Sequence, residues 1–376
     1  TTLPTAGTLK LNGVAVTAGQ SITAADIAAG KLVFAPAANA NGSNYASIGF
    51  KVQDDGGTSD GGADTSTSAN TITLNITSVN DAPTAADKTI DVLEDGSKTF
   101  AVADFGFSDI DSNALASVII TTLPTAGTLK LNGVAVTADQ SITAADIAAG
   151  KLVFAPAVNA NGSNYASIGF KVQDDGGTSD GGADTSTSAN TITFNIDATN
   201  DAPVLSDTSL AMAAVLQNSA TPTGAVGQLV SSLVGGVSDS DTSDPKGIAI
   251  TGVTNGTLYY STNGGTTWTA VSSASETNAL LLGADVDNRI YFKPNADYSG
   301  TTTSAISLRA WDQSTGSEGT YAATDLNGGA SAFSTATDTI SQQVVRPVTI
   351  NAVSTDNAIA LNEAMPLSGT ANHDCI

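Results

Sequence analysis

The sequence predicts an all-β protein, a tandem array of β-sandwich domains in an elongated rod. Three observations carry that expectation. Apolar residues alternate with polar ones over short stretches, as in Ala46, Ile48, Phe50 and Val52, then Ile72, Leu74 and Ile76; a period of two buries one face of a strand. Residues 1–76 recur as residues 121–196 with only three differences, Gly19/Asp139, Ala38/Val158 and Leu74/Phe194. That spacing suits a whole domain rather than a solenoid unit. Finally, only four of the 36 acidic residues are Glu (Glu94, Glu276, Glu318 and Glu363). The remainder are Asp, which favours turns and metal sites over helix interiors.

Within one repeat the elements follow in order. Residues 9–11 and 14–16 flank Asn12-Gly13, the preferred two-residue hairpin turn. Residues 23–30 read as one helical turn, with Thr23 as N-cap, Asp26 in the first turn and Gly30 as the stop. A strand over residues 31–34 ends before Pro36, and another covers residues 46–52. A polar loop over residues 54–68 leads to the last strand, and its Asp55, Asp60 and Asp64 read as solvated loop residues. Each copy then reaches a joint, Asn80-Asp81-Ala82-Pro83 or Asn200-Asp201-Ala202-Pro203. Proline cannot donate to a sheet ladder, so each strand stops there. About seven short strands per domain point to a sandwich.

Residues 204–345 look unrelated until landmarks are counted. Pro294 stands 18 residues before Asp312, as Pro36 does before Asp54 and Pro156 before Asp174. Ser238-Asp239-Ser240-Asp241 precedes Gly256-Thr257-Leu258 much as Ser108-Asp109-Ile110-Asp111 precedes Gly127-Thr128-Leu129. The third region is therefore expected to be a diverged copy. The expected domains are 1–81, 82–201, 202–345 and an incomplete unit over 346–376. Residue 1 matches residue 121, inside the repeat. The first domain is thus expected to lack the strands that residues 84–120 give the second, leaving an open sheet edge or one completed by a neighbouring chain.

The joints carry the candidate chemistry. Asn and Asp oxygens where one β-domain hands over to the next suit a hard cation, calcium first, although the same residue types also populate ordinary turns. The set Glu94-Asp95-Gly96, Ser108-Asp109-Ile110-Asp111, Pro124-x-x-Gly127-Thr128-Leu129, Phe154-x-Pro156, Val172-x-Asp174 and Asn-Asp-Ala-Pro resembles the tandem cadherin-like repeats of giant secreted bacterial adhesins of the RTX type. The resemblance covers roughly residues 1–345, and residues 348–369 resemble the start of a bacterial Ig-like domain. It implies an extracellular, bacterial-surface, non-enzymatic extender, rigidified by Ca2+ and serving adhesion or biofilm. Carried over by position, it implies Asn80, Asp81, Asp109, Asp111 and Asp174 as ligands at the first joint. At the second it implies Glu94, Asn200, Asp201, Asp239, Asp241 and Asp312. A third joint, at Arg346-Pro347, lacks the Asn-Asp pair and is expected to bind calcium weakly and bend more freely.

Composition excludes other classes. A formal charge of −23 repels nucleic acid and anionic lipid. No apolar run is long enough to cross a membrane. The only His and Cys, His373 and Cys375, lie at the extreme end, so no disulfide framework and no Ser-His-Asp or Cys-His chemistry is available. Carboxylate pairs sufficient for a glycosidase fall at the joints, in duplicate, where an active site is not expected. Residues 261–268 resemble the Asp-box turn of sialidases with Asn263 in place of Asp, a structural hairpin that Trp268 would pin to the core. Partners are then neighbouring domains or chains of the same protein, with surface glycans or other cells met through domains elsewhere. Two alternatives stand beside the extender: a fibre or surface-layer subunit, and a carbohydrate-binding module with the aromatic-rich third domain as reader.

Overall fold

The period-two stretches become strands in the computed structural model, which describes residues 2–241 and 244–348. The segment expected to begin an Ig-like domain lies, from residue 349 on, outside the described residues. The chain divides into two compact units, Thr1–Thr199 and Asn200 onward.

The first unit opens with a hairpin of β1 (Thr8–Leu11) and β2 (Val14–Ala15). Its turn residues Asn12 and Gly13 both have positive φ, 49° and 82°, as a type I′ turn requires. Helix α1 (Ala24–Ala28) is a single turn capped by Thr23, whose hydroxyl accepts the Asp26 N–H at 3.1 Å. Strands β3 (Leu32–Ala35), β4 (Gly42–Phe50) and β5 (Asn70–Ile76) follow. These five strands form two small sheets, β2-β1-β3 and β4-β5.

Between the copies lie β6 (Lys88–Leu93) and β7 (Lys98–Thr99), and β8 (Leu115–Thr122) crosses into the second copy. That copy adds β9 (Thr128–Leu131), β10 (Val134–Ala135), β11 (Gln140–Thr143), helix α2 (Ala144–Ala148), β12 (Leu152–Ala155), β13 (Gly162–Asp174) and β14 (Asn190–Asp197). Together they build a sandwich: a five-stranded sheet β11-β8-β13-β14-β6 against a four-stranded sheet β10-β9-β12-β7. Strand β8 runs antiparallel to β13, and β6 runs parallel to β14. The core draws Phe100 and Phe105 from the segment between the copies, and Phe154, Phe170 and Phe194 from the repeat. Phe154 stacks on Phe194 with ring centroids 3.9 Å apart, and Phe105 meets Phe170 edge to face at 5.1 Å. At its margin the buried Asp104 carboxylate accepts from Lys88 (2.6 Å), Lys98 (2.9 Å) and the Ala101 N–H (2.9 Å).

The second unit repeats the plan of that sandwich. Its opening strands are β15 (Val204–Leu205), β16 (Leu210–Leu216), β17 (Gln228–Leu229) and β18 (Val237–Ser238). Then come β19 (Gly247–Val253), β20 (Gly256–Ser261), β21 (Thr269–Ala270), β22 (Ala279–Gly283) and β23 (Arg289–Pro294). The last are β24 (Gly300–Trp311), β25 (Tyr321–Ala322) and β26 (Asp338–Val345). A six-stranded sheet β16-β26-β24-β19-β22-β25 faces a four-stranded sheet β17-β23-β20-β21. Strand β16 is parallel to β26, as β6 is to β14, and β24 lies between β19 and β26 as β13 lies between β8 and β14.

Candidate metal centres

Strand ends bring the candidate residues of the first joint together. Asp174 ends β13, and Asp109 and Asp111 lie in the turn that leads into β8. Asn80 and Asp81 arrive along the chain that leaves β5. The Asn80 amide Nδ2–H donates to Asp174 Oδ1 (3.0 Å) and to the carbonyls of Gly177 (3.1 Å) and Ala183 (2.8 Å). The Asp81 N–H donates to Asp111 Oδ2 at 2.7 Å. Asn113 closes the set: its N–H donates to Asp109 Oδ1 at 2.9 Å, and its side-chain amide donates to Asn80 Oδ1. Gly176 makes this approach possible, because a Cβ there would collide with the amides of Asn80 and Asn113.

The second unit reproduces the arrangement. Asn200 Nδ2–H donates to Asp312 Oδ2 at 3.0 Å, and the Asp201 N–H donates to Asp241 Oδ2 at 2.7 Å. The Asp241 N–H in turn donates to Asp239 Oδ1 at 2.9 Å. Glu94, the remaining candidate for the second joint, belongs to the first unit. Its buried carboxylate accepts from Asn161 Nδ2 (3.1 Å to each oxygen) and from the Thr199 N–H (3.2 Å).

Among the described residues, no three Asp, Glu, His or Cys side chains converge into a metal cage of their own. Asp109, Asp174 and Asp239 instead turn one oxygen each toward an N–H. What remains is the other oxygen. Asp109 Oδ2 and Asp174 Oδ2 at the first joint, and Asp239 Oδ2 in the second unit, are buried and accept no hydrogen bond. Asp109 and Asp239 are the matching residues of the two Ser-Asp-x-Asp motifs. An unsatisfied buried carboxylate oxygen is costly, so its recurrence at one motif position calls for a counter-charge. The electrostatics of the second set agree. Burial first, then the charges of Asp312, Asp241 and Asp244, raise the Asp239 carboxyl above the ordinary aspartate value. Burial, then Asp241 and Asp312, do the same to Asp244. A bound cation reverses that repulsion.

Sequence reasoning missed Asn113, Gly176 and Asp244. The signal for the first and last was present: a further polar residue stands two positions past Asp111 and three past Asp241. Gly176 shows its purpose only once Asn80 is seen folded against it.

The two tryptophans of the second unit donate to backbone carbonyls within it. Trp311 is fully buried, with its Nε1–H donating to the Thr315 carbonyl at 2.8 Å. Trp268 is half-buried, donates to the Gly224 carbonyl at 3.1 Å and meets Tyr291 edge to face. Asn263 closes its turn through Oδ1, which accepts the Thr267 N–H at 2.9 Å. Among the described residues no helix is long and apolar enough to cross a membrane.

No protein-family profile matches the chain, and no curated protein sequence matches it. Solved structures similar to part of it include three human proteins, each covering 70% of this chain at 13% identity. Repeats EC1-2 of human mucin-like protocadherin align over 98% of their length with a TM-score of 0.32. Repeats EC21-23 of human CDH23 align over 69% with a TM-score of 0.31. The human desmocollin-1 ectodomain aligns over 42% with a TM-score of 0.34.

Proposed function

We propose that this chain is a non-enzymatic extender of a large bacterial surface adhesin: cadherin-like sandwiches whose joints bind calcium. The observation that carries the reading is the pair of buried, unsatisfied oxygens at Asp109 and Asp239, one in each motif. Calcium takes six to eight oxygens from carboxylates, amides and carbonyls, which is the donor mixture assembled around Asn80, Asp111 and Asp174. The motif set and the Asp-rich composition support an extracellular setting, where calcium is abundant. The formal charge of −23 supports a role for cations in neutralising self-repulsion.

At the first joint the ion would be held by Asp109, Asp111 and Asp174, with Asn80 and Asp81 supplying further oxygens. At the second it would be held by Asp239, Asp241 and Asp312 with Asn200 and Asp201. Extracellular modules bind calcium with a dissociation constant of ~10⁻⁴–10⁻³ M. At ten times that constant each site contributes about 1.4 kcal/mol to the bound state. This is small for a sandwich and large for a short linker, so stiffness responds before folding does.

Small-angle scattering with and without chelator tests the reading. Calcium removal is expected to widen the distribution of maximum dimensions, and Asp109→Ala with Asp111→Ala to reproduce part of that widening in calcium. Unchanged dimensions in both experiments overturn the calcium joint. A glycan array probed with the whole chain separates this reading from a carbohydrate-binding module, and electron microscopy of the purified chain from a self-assembling fibre.

A further inference from the structure

The linker asparagine of each Asn-Asp-Ala-Pro motif is held through its amide donors, and an N–H does not ligate a cation. Asn80 shares its Nδ2 hydrogens among Asp174 Oδ1 (3.0 Å) and the carbonyls of Gly177 (3.1 Å) and Ala183 (2.8 Å). Its backbone carbonyl accepts the Ala183 N–H at 2.9 Å. Glycines make room for this seat. A Cβ at Gly176 would collide with the Asn80 and Asn113 amides, and one at Gly182 would stand 3.1 Å from Asn80 Cβ. The residues that follow are stitched to the same sandwich. The Asp81 N–H donates to Asp111 Oδ2 at 2.7 Å, and Thr84 and Ser108 exchange N–H to carbonyl bonds of 2.8 and 2.9 Å. Pro83 between them is buried.

The second unit makes the same contacts with a different loop. In the first unit the loop runs from Asp174 to Asn190; in the second a longer stretch, carrying β25, runs from Trp311 to Asp338. Asn200 Nδ2–H still donates to the strand-end Asp312 Oδ2 at 3.0 Å and to a loop carbonyl, that of Ser331, at 3.3 Å. The Ala202 N–H donates to the Gly329 carbonyl at 2.7 Å. The contacts recur although the loop sequence does not, so the asparagine and its amide are the common element.

We propose that Asn80 and Asn200 are positioning residues that fasten each linker to the domain after it, with or without a cation. The Asn-Asp order then has a physical reading. The first residue donates from its side chain and the second from its backbone N–H, and both donors end on aspartates of the following domain. The inference does not require that the joint bind calcium. Where it does, the oxygens are gathered before the ion arrives, which lowers the ordering cost of binding. Asn80→Asp separates a fastener from an oxygen ligand. It keeps the side-chain oxygens and adds charge, but it has no hydrogen to donate and faces the Asp174 carboxylate and two carbonyls.

Amide hydrogen exchange of the whole chain, read residue by residue by NMR in chelator and then in calcium, tests this. The Asp81 and Ala183 N–H groups of the unaltered chain are expected to be protected even in chelator. Asn80→Asp and Asn80→Ala are each expected to speed their exchange in chelator by about tenfold or more, the aspartate more than the alanine. Gly176→Ala changes no side chain that could hold an ion and is expected to do the same by displacing the Asn80 amide. Slow amides in β8 and β13 report that the sandwich remains folded in each variant. Unprotected Asp81 and Ala183 N–H groups in the unaltered chain in chelator overturn the proposal whatever the variants do, since only an ion would then seat the linker. Exchange in Asn80→Asp equal to that of the unaltered chain also overturns it, because the amide donors would then hold nothing. Calorimetric titration with calcium keeps the two readings apart: no uptake of calcium, with protection intact in chelator, defeats the calcium joint and leaves the fastener standing.

Discussion

Residues 1–76 and residues 121–196 are a natural control on what sequence alone fixes. They differ at three positions, yet one copy is the interior of a sandwich and the other a pair of small open sheets. Phe170 is buried and Phe50 only half-buried. Residues 140–143 form β11 because β8 is there to pair with them; residues 20–23 have the same sequence and form no strand. Strand β13 runs to Asp174, whereas β4 stops at Phe50, for the same reason. The joint residues divide likewise. Asp174 meets Asn80 and lies beside the Asp109 and Asp111 turn, while Asp54 bonds only within its own loop, to the Gly56 N–H at 2.9 Å. Burial and the geometry of the candidate site thus belong to the partner strands as much as to the repeat.

The comparison can be broken most directly at its largest difference. Phe170→Ala is expected to destabilise the second sandwich by about 3–5 kcal/mol, the usual cost of emptying a buried phenylalanine site. Phe50→Ala removes the same atoms from a half-buried position and is expected to cost about 1 kcal/mol or less. Scanning calorimetry of both variants checks this, and equal losses would mean that the first copy packs as the second does.

Asp104 sharpens the comparison, since the first copy has no counterpart among the described residues. Burial alone would raise its pKa, but the Ala101 N–H, Lys88 and Lys98 outweigh burial and hold it below the ordinary aspartate value. Its contribution is therefore fully present above the unfolded-state pKa and is lost as pH falls through the lower folded-state value. Asp104→Ala is expected to cost about 2 kcal/mol at neutral pH, the range for hydrogen bonds to a charged group. It is also expected to flatten the acid limb of the second sandwich's unfolding. An unchanged pH profile in the variant would remove Asp104 from the account.

The smallest effect concerns one of the three differing positions. Phe194→Leu installs the residue found at position 74 and removes the stack on Phe154. A loss of about 1 kcal/mol is expected in denaturant unfolding. Leu74→Phe, at a partly exposed site, is expected to change stability little. If Leu74→Phe proved strongly stabilising, the first copy would already hold a core like the second.

Much of the local structure was legible in the chain. The Asn12-Gly13 and Asn132-Gly133 turns adopt the same positive φ values within a degree. Thr23 and Thr143 cap α1 and α2 in the same way, each accepting an aspartate N–H at 3.1 Å. The lysine one turn on pairs with that aspartate in both, Lys31 with Asp26 and Lys151 with Asp146. The Asp-x-Asp and Asn-Asp motifs placed most of each candidate metal centre, because their spacing recurs. Asn113 and Gly176 escaped notice, since their roles depend on how Asn80 folds back across the loop after β13.

Turns, caps and short ion pairs span at most a few residues, so the sequence within each copy determined them whatever surrounded it. Strand extension, burial and the meeting of Asn80 with Asp174 span dozens of residues, and only the tertiary structure decided them. A strand's hydrogen bonds and its apolar face need a partner, and residues 88–122 supply that partner to one copy and not to the other.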